Sequence, residues 1–313
     1  MRNGFGPVFD TASPQAGAIA SLFGFVLLIS LVIFLIVTMA IALGAHRYRG
    51  KDGDAEPRQI FGHKRLELVW TIIPACIVVT ILVLSGRVMG KVDAPSNLKP
   101  DLVITGHQWW WDARYTASGA RTANEIHIPT GQRWLVEVES ADVIHDFWAP
   151  NLAPKMDAVP GHPNRIWLEA DRPGTYAGAC AEFCGAQHAW MRFYVIAEPR
   201  AEFDAWQQRQ VQPVTAQAEA SPGRKVFQDM LCVNCHEVAG VGAGARTNAT
   251  AGPDLTHLAG RATLAGGVLA NSETNLELWL QDPQAFKPAC LMPNFHLTDG
   301  QRRDLAAFFE ATP

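Results

Sequence analysis

Cys180-Ala181-Glu182-Phe183-Cys184-Gly185-Ala186-Gln187-His188-Ala189-Trp190-Met191 decides how this chain is read. Two thiols four residues apart, an imidazole four further on and a thioether three beyond that lie in one loop. Soft sulfur with imidazole is the donor set of copper electron-transfer sites. A mononuclear blue-copper centre needs one cysteine; two suggest a pair of metal ions sharing both sulfurs. Spreading one electron over two bridged ions reduces the geometric change on redox, which favours fast transfer. A disulfide and a zinc site are the alternatives, and Met191 is a poor zinc ligand. A distant upstream histidine is needed to complete the set. His145, in Ala141-Asp142-Val143-Ile144-His145-Asp146-Phe147-Trp148, is the best placed; His107, His127 and His162 are weaker candidates.

The residues around this loop read as strands. Leu102–Thr105, Trp134–Val138, Arg165–Leu168 and Arg192–Ala197 alternate or are rich in β-formers, separated by Gly, Pro and Asn. A small β-sandwich or Greek-key barrel is the natural class.

The N-terminal side is of another kind. From Thr11 to Ala45 there is no Asp, Glu, Lys or Arg, and Ala18 to Gly44 is apolar for longer than the ~20 residues that cross a bilayer. Leu68 to Gly86 is a second uncharged run. Together they predict a two-helix hairpin, helices about 17–45 and 67–90, with Pro74 inside the second. The connecting loop holds Arg47, Arg49, Lys51, Arg58, Lys64 and Arg65, against only Arg2 in the N-terminal tail. The positive-inside rule puts this loop in the cytoplasm and both chain ends outside. Glu67, followed by Trp70, reads either as a carboxylate at a helix start or as a proton-path residue.

Composition agrees. The chain has 313 residues, 48% hydrophobic and only 18% charged, with net charge −4, which argues for a membrane portion and against a nucleic-acid binder.

Beyond the β-rich region a short helix, Arg200–Arg209, leads into a Gln-, Val-, Pro- and Ala-rich linker ending at Ser221-Pro222. Then comes Cys232-Val233-Asn234-Cys235-His236, the c-type haem attachment pattern. Two thiols must reach the two vinyl groups, and the adjacent histidine must turn a nitrogen onto the iron. Met292, in Cys290-Leu291-Met292-Pro293-Asn294-Phe295, is the expected sixth ligand, with His257 and His296 as rivals. Histidine–methionine ligation gives a relatively high potential, suited to passing electrons onward. Helices are expected at Leu276–Leu280 and Thr298–Ala311, and Gly252-Pro253-Asp254-Leu255 under the proximal histidine.

These motifs carry a resemblance. The cysteine loop, Gly106-His107-Gln108-Trp109-Trp110-Trp111, the His145 segment, Lys155-Met156-Asp157-Ala158-Val159-Pro160-Gly161 and the hairpin with Leu66-Glu67-Leu68-Val69-Trp70 resemble cytochrome c oxidase subunit II. Residues 222–313 resemble a class I cytochrome c, as fused to subunit II in caa-type haem-copper oxidases. The fold class implied is multidomain: a transmembrane hairpin (1–91), an all-β cupredoxin-like copper-A domain (92–205), a linker (206–221) and an all-α cytochrome c domain (222–313).

The resemblance implies roles. A binuclear copper A centre would be held by Cys180, Cys184, His145, His188, Met191 and the backbone carbonyl of Glu182. The Glu182 side chain would reach a magnesium or manganese ion at the boundary with subunit I. Trp109 and Trp111 would form the aromatic patch where electrons enter, and Glu67 would lie near the mouth of a proton-uptake path. Haem c would be held by Cys232, Cys235, His236 and Met292. The chain would receive electrons from a cytochrome c or a quinol–cytochrome c reductase complex. It would pass them from haem c to copper A and on to subunit I, which carries haem a and copper B. There oxygen becomes water with proton translocation. Subunit III and membrane lipid are further partners, and the bacterial inner membrane is the expected site, with both cofactor domains on the periplasmic side. The linker would let the haem domain swing. A copper-A nitric oxide reductase subunit and a free-standing membrane-anchored carrier are the alternatives. Two departures stand out: Arg114, where relatives that receive soluble cytochrome c often carry glutamate, and Cys290, which has no assigned role.

Overall fold

The computed structural model describes residues 8–50, 53, 55–56, 59–95, 97–241 and 252–312. Arg2, Lys51 and Arg58, part of the charge reading above, lie outside them. Gly17–Val92 make one compact unit, and Asp93–Pro313 with the described residues before Gly17 make the other.

The first unit is a pair of helices. Helix α1 spans Pro14–Arg47 and α2 spans Lys64–Val92, each longer than its uncharged core because helix hydrogen bonding continues into the charged flanks. Leu27, Phe34, Ile41, Leu68, Ile73 and Val79 are all exposed. A helix apolar on every side needs apolar surroundings, and both helices are long enough to cross a membrane.

The second unit starts with a sandwich of ten strands: β1 (Leu102–His107), β2 (Trp110–Tyr115), β3 (Arg121–Ala123), β4 (Glu125–Pro129), β5 (Trp134–Ser140), β6 (His145–Trp148), β7 (Met156–Ala158), β8 (Asn164–Leu168), β9 (Gly174–Cys180) and β10 (Arg192–Glu198). One sheet runs β3-β2-β1-β5-β8 and the other β4-β10-β9-β6-β7. The pairs β1·β5 and β4·β10 are parallel; the other pairings are antiparallel. Leu102, Ile104, Trp111, Tyr115, Val136, Phe147, Phe193 and Val195 fill the space between the sheets. The chain ahead of α1 ties onto this domain: Ala12 N–H donates to Asn151 O at 2.8 Å.

Helix α3 (Arg200–Gln210) closes the sandwich. Its Phe203 and Trp206 are buried, with Trp206 stacked on His127 at 4.0 Å. Helix α4 (Ala216–Ala220) follows, with Ala218 and the preceding Val214 in the core of the haem domain. The stretch expected as a linker is therefore packed at both ends, because Trp206, Val214 and Ala218 each bury apolar surface in one core or the other.

That second core is built from α5 (Pro222–Asp229), a short ribbon β11 (Thr263–Leu264) with β12 (Leu269–Ala270), α6 (Glu273–Gln281), α7 (Pro283–Phe286) and α8 (Asp299–Glu310). Helix α8 starts on a capping box, with Thr298 and Gln301 satisfying each other's backbone N–H groups. Helices α5 and α8 cross in contact: a Cβ on Gly223 would lie 2.0 Å from Asp304 O.

Candidate functional site

Strand β9 ends at Cys180, the loop turns through a 3-10 helix at His188–Trp190, and β10 begins at Arg192. The hairpin is closed at its base by Cys180 N–H donating to Met191 O at 3.0 Å. This fold-back brings the loop's donors together. The two sulfurs lie 3.7 Å apart and both cysteines are free. That is far beyond the ~2.05 Å of a disulfide bond. Cys180 Sγ lies 3.2 Å from Glu182 O and 3.9 Å from His145 Nδ1. Cys184 Sγ lies 3.7 Å from His188 Nδ1 and 3.8 Å from Met191 Sδ. All six donors expected from the sequence thus share one cluster, in which His145, Cys180, Cys184 and Met191 are buried. His145, Cys180 and Cys184 bring their ligand atoms within 4.8 Å of one another.

The histidine is aimed from behind. His145 is fully buried at the start of β6, and its Nε2 donates to Asp142 Oδ1 at 2.8 Å. That hydrogen bond puts the ring proton on Nε2 and leaves Nδ1 free to face the sulfurs. Burial pulls the His145 pKa down, but the hydrogen bonds with Asp142 and Cys180 outweigh it and hold it above the usual value. Asp142 is also held by the Gln108 N–H, at 2.7 Å. Burial pushes its carboxyl up, and the bonds from His145, Val143 and Gln108 more than reverse that. The hydrogen bond from Cys184 holds the Cys180 thiol far below its usual pKa, whereas sharing that proton pushes Cys184 up. Next door, burial and then a hydrogen bond with Asp157 push Asp146 up to about 7.

The three adjacent tryptophans are all buried, but only two of them line a cavity. Trp111 is 0% exposed and packs edge-on against His145, Phe147 and Phe193 inside the sandwich. Its whole ring therefore lies in the core, beside the His145 ring. Trp109 does face a cavity, and its Nε1 donates to Cys184 O at 3.0 Å. Trp110, to which the sequence reading gave no role, lines the same cavity and stacks on His107 at 4.2 Å. His127 and His162 stay outside the donor cluster; His127 pairs with Glu198 at 2.7 Å.

The cavity brings together the second set of expected ligands. Cys232, Cys235, His236 and Met292 all line it; His257 and His296 do not. His236 Nδ1 donates to Pro253 O at 2.8 Å, which leaves Nε2 to face the cavity. Gly252 lies flat under the ring: a Cβ there would come within 2.5 Å of His236 Cε1. Burial lowers the His236 pKa, which keeps the ring neutral for a metal. The Met292 loop is braced by Gln284, whose Nε2 donates to Met292 O at 2.9 Å and Cys290 O at 3.0 Å. Gln284 and Asp142 escaped the sequence reading, since a lone amide or carboxylate in a loop carries no spacing signal. Two thiols, one histidine and one methionine lining a largely apolar cavity suit a covalently attached haem.

Glu182 is exposed, with its carbonyl turned in toward Cys180 and its side chain on the outer side of the loop. In the helical unit, Glu67 Oε1 accepts the His63 N–H at 3.0 Å, a local bond of a helix start. Arg114 is exposed on β2.

Three family models tile the chain: cytochrome c oxidase subunit II, transmembrane domain, over residues 3–88; its periplasmic domain, over 118–198; and cytochrome c, over 220–312. Cytochrome c oxidase subunit 2 of Alkalihalophilus pseudofirmus is 39% identical over 281 residues, 86% of this chain and 78% of that protein. The same subunit from Bacillus sp. strain PS3 is 32% identical over 81% of this chain and 76% of its own. Among solved structures, the periplasmic domain of subunit II of cytochrome oxidase from Bradyrhizobium japonicum is 32% identical, covering 36% of this chain and 95% of that domain, at a TM-score of 0.34. The chain belongs to the cytochrome c oxidase subunit II family, in the branch whose subunit II, a component of a haem-copper oxidase, carries a fused cytochrome c domain.

Proposed function

We propose that this chain is the subunit through which a proton-translocating terminal oxidase takes up electrons, one at a time, from a cytochrome c-type donor or a quinol–cytochrome c reductase complex. Haem c and a copper pair would each supply a station that gains and loses one electron. Cys232 and Cys235 would attach the porphyrin, and His236 and Met292 would hold its iron. Cys180, Cys184, His145, His188, Met191 and the Glu182 carbonyl would hold the copper pair. Trp109 connects the two stations, with its ring on the cavity wall and its indole N–H on the Cys184 carbonyl. The copper pair would hand electrons on to subunit I, where oxygen would be reduced to water. The Glu182 carboxylate, exposed beside the cluster, offers hard oxygen to magnesium or manganese at the boundary with subunit I. Subunit III and lipid complete the surroundings. The hairpin anchors the chain in the bacterial inner membrane with both cofactor domains on the periplasmic side, and Glu67 sits at the proton-uptake mouth.

One observation carries this reading: six donors of the copper A set lie in one cluster, in neighbouring pairs 3.2–3.9 Å apart. The test is a pair of variants in the assembled oxidase. Met191→Ala should leave the c-type absorption intact, shift the copper spectrum and slow turnover. His236→Ala should abolish the c-type band and leave the copper signal in place. Normal turnover with an unaltered copper spectrum in Met191→Ala would contradict it.

A further inference from the structure

The haem domain is seated on the sandwich, and two charged side chains buried in the seam hold it there. Glu125, on β4, is 3% exposed. One of its carboxylate oxygens accepts the Ala262 N–H at 2.9 Å; the other accepts the Thr263 N–H at 2.8 Å and the Thr263 hydroxyl at 2.7 Å. Lys287, from the far end of α7, is 4% exposed and crosses in the opposite direction. Its Nζ donates to Trp109 O at 2.6 Å and to Ala265 O at 3.3 Å. Gln187, beside the copper ligand His188, donates across the same seam to Pro288 O. Arg121 reaches Glu237 at 3.2 Å at the rim.

Burying a carboxylate or an ammonium costs several kcal/mol unless its hydrogen bonds are made. A loose collision surface would leave these groups in water. Here all three Glu125 bonds, and the Lys287 bond to Trp109 O, form only when the two domains are together, so they specify one docked geometry. That geometry has a consequence for the cavity. Gln108, Trp109 and Trp110 of the sandwich form one wall, and His236 and Met292 belong to the other side. Lys287 grips the backbone of the residue whose ring bonds Cys184 O.

We propose that Glu125 and Lys287 are positioning residues that latch the haem domain closed over Trp109, fixing the distance across which an electron passes between the two stations. The seated domain covers Trp109, so a soluble donor meets the haem domain and not the copper face. The inference rests on the cofactor assignment above. In each transfer one electron leaves reduced haem iron, which is oxidised, and arrives at the oxidised copper pair, which is reduced.

The experiment uses the intact oxidase and the variants Glu125→Ala, Thr263→Val and Lys287→Met. Hydrogen exchange is followed at the amides of 262–265, and the haem-to-copper rate after photoreduction of the haem. Loss of a buried charged hydrogen-bond set should speed exchange at 262 and 263 by about tenfold or more in Glu125→Ala. The transfer rate should fall by a similar factor in Glu125→Ala and Lys287→Met, with haem and copper spectra unchanged. Thr263→Val, altered on the other side of the contact, should show a smaller change in the same direction. Unchanged exchange in Glu125→Ala overturns the latch. Faster exchange with an unchanged transfer rate overturns its positioning role. If the wild type held neither cofactor, the exchange arm would still test the latch, and the cofactor assignment alone would fail.

Discussion

His107 shows how a single ring is tuned by where the chain puts it. It lies flat on Trp110, and burial pulls its pKa down to about 4, with Asp142 opposing and Arg121 and His145 adding to the fall. The ring is therefore neutral in the folded domain throughout the physiological range. Unfolded, it takes up its proton near 6.5. Between those values the unfolded state binds more protons, so stability rises with pH there and is lost as pH falls from 6.5 toward 4. The loss from this one group is at most about 3 kcal/mol. His107→Phe keeps the stack and removes the proton site. Thermal unfolding followed by tryptophan fluorescence should show the variant gaining on the wild type at pH 4.5 relative to pH 7. An equal gap at both values would contradict the assignment. Asp142 belongs to the same scale: one carboxylate orients His145 and anchors the backbone ahead of Trp109.

At the scale of elements, the haem domain depends on the crossing of α5 and α8. Phe227 packs on Phe308 and Phe309, with ring centroids at 6.0 and 5.8 Å. Gly223 lets the two backbones touch, and the obstruction to a larger residue is Asp304 O, a backbone atom that cannot rotate away. Gly223→Ala should therefore cost about 1–3 kcal/mol through helix separation. It should lower the melting temperature of this domain by about 4 °C or more, read by circular dichroism. An unchanged melting temperature would mean that the crossing yields freely. Elements also divide what the sequence disclosed from what it concealed. Long uncharged runs announced α1 and α2, and alternation announced β1, β5, β8 and β10. Strands β3, β6 and β7 are too short for any period to register. The Gln- and Ala-rich stretch read as a tether because composition is blind to Trp206, Val214 and Ala218 each finding a core.

For the whole molecule, the proposed ligands were legible because metal chemistry imposes close spacing: Cys180 to Met191 in one loop, Cys232 to His236 in one turn. The burial of Trp111 was not legible, because a tryptophan in a strand points either inward or outward and only the register decides. The seam between domains was illegible, since Glu125 and Lys287 are 162 positions apart and neither belongs to a motif. The C-terminal domain completes the surroundings of Trp109, whose ring lines the cavity and whose indole N–H bonds the Cys184 carbonyl. The most direct test is metal and haem analysis of the mature chain within its oxidase, with optical and paramagnetic spectra. Two copper ions with a delocalised mixed-valence signal and one covalent haem c per chain are the predicted result; a chain carrying neither copper nor haem would contradict the account.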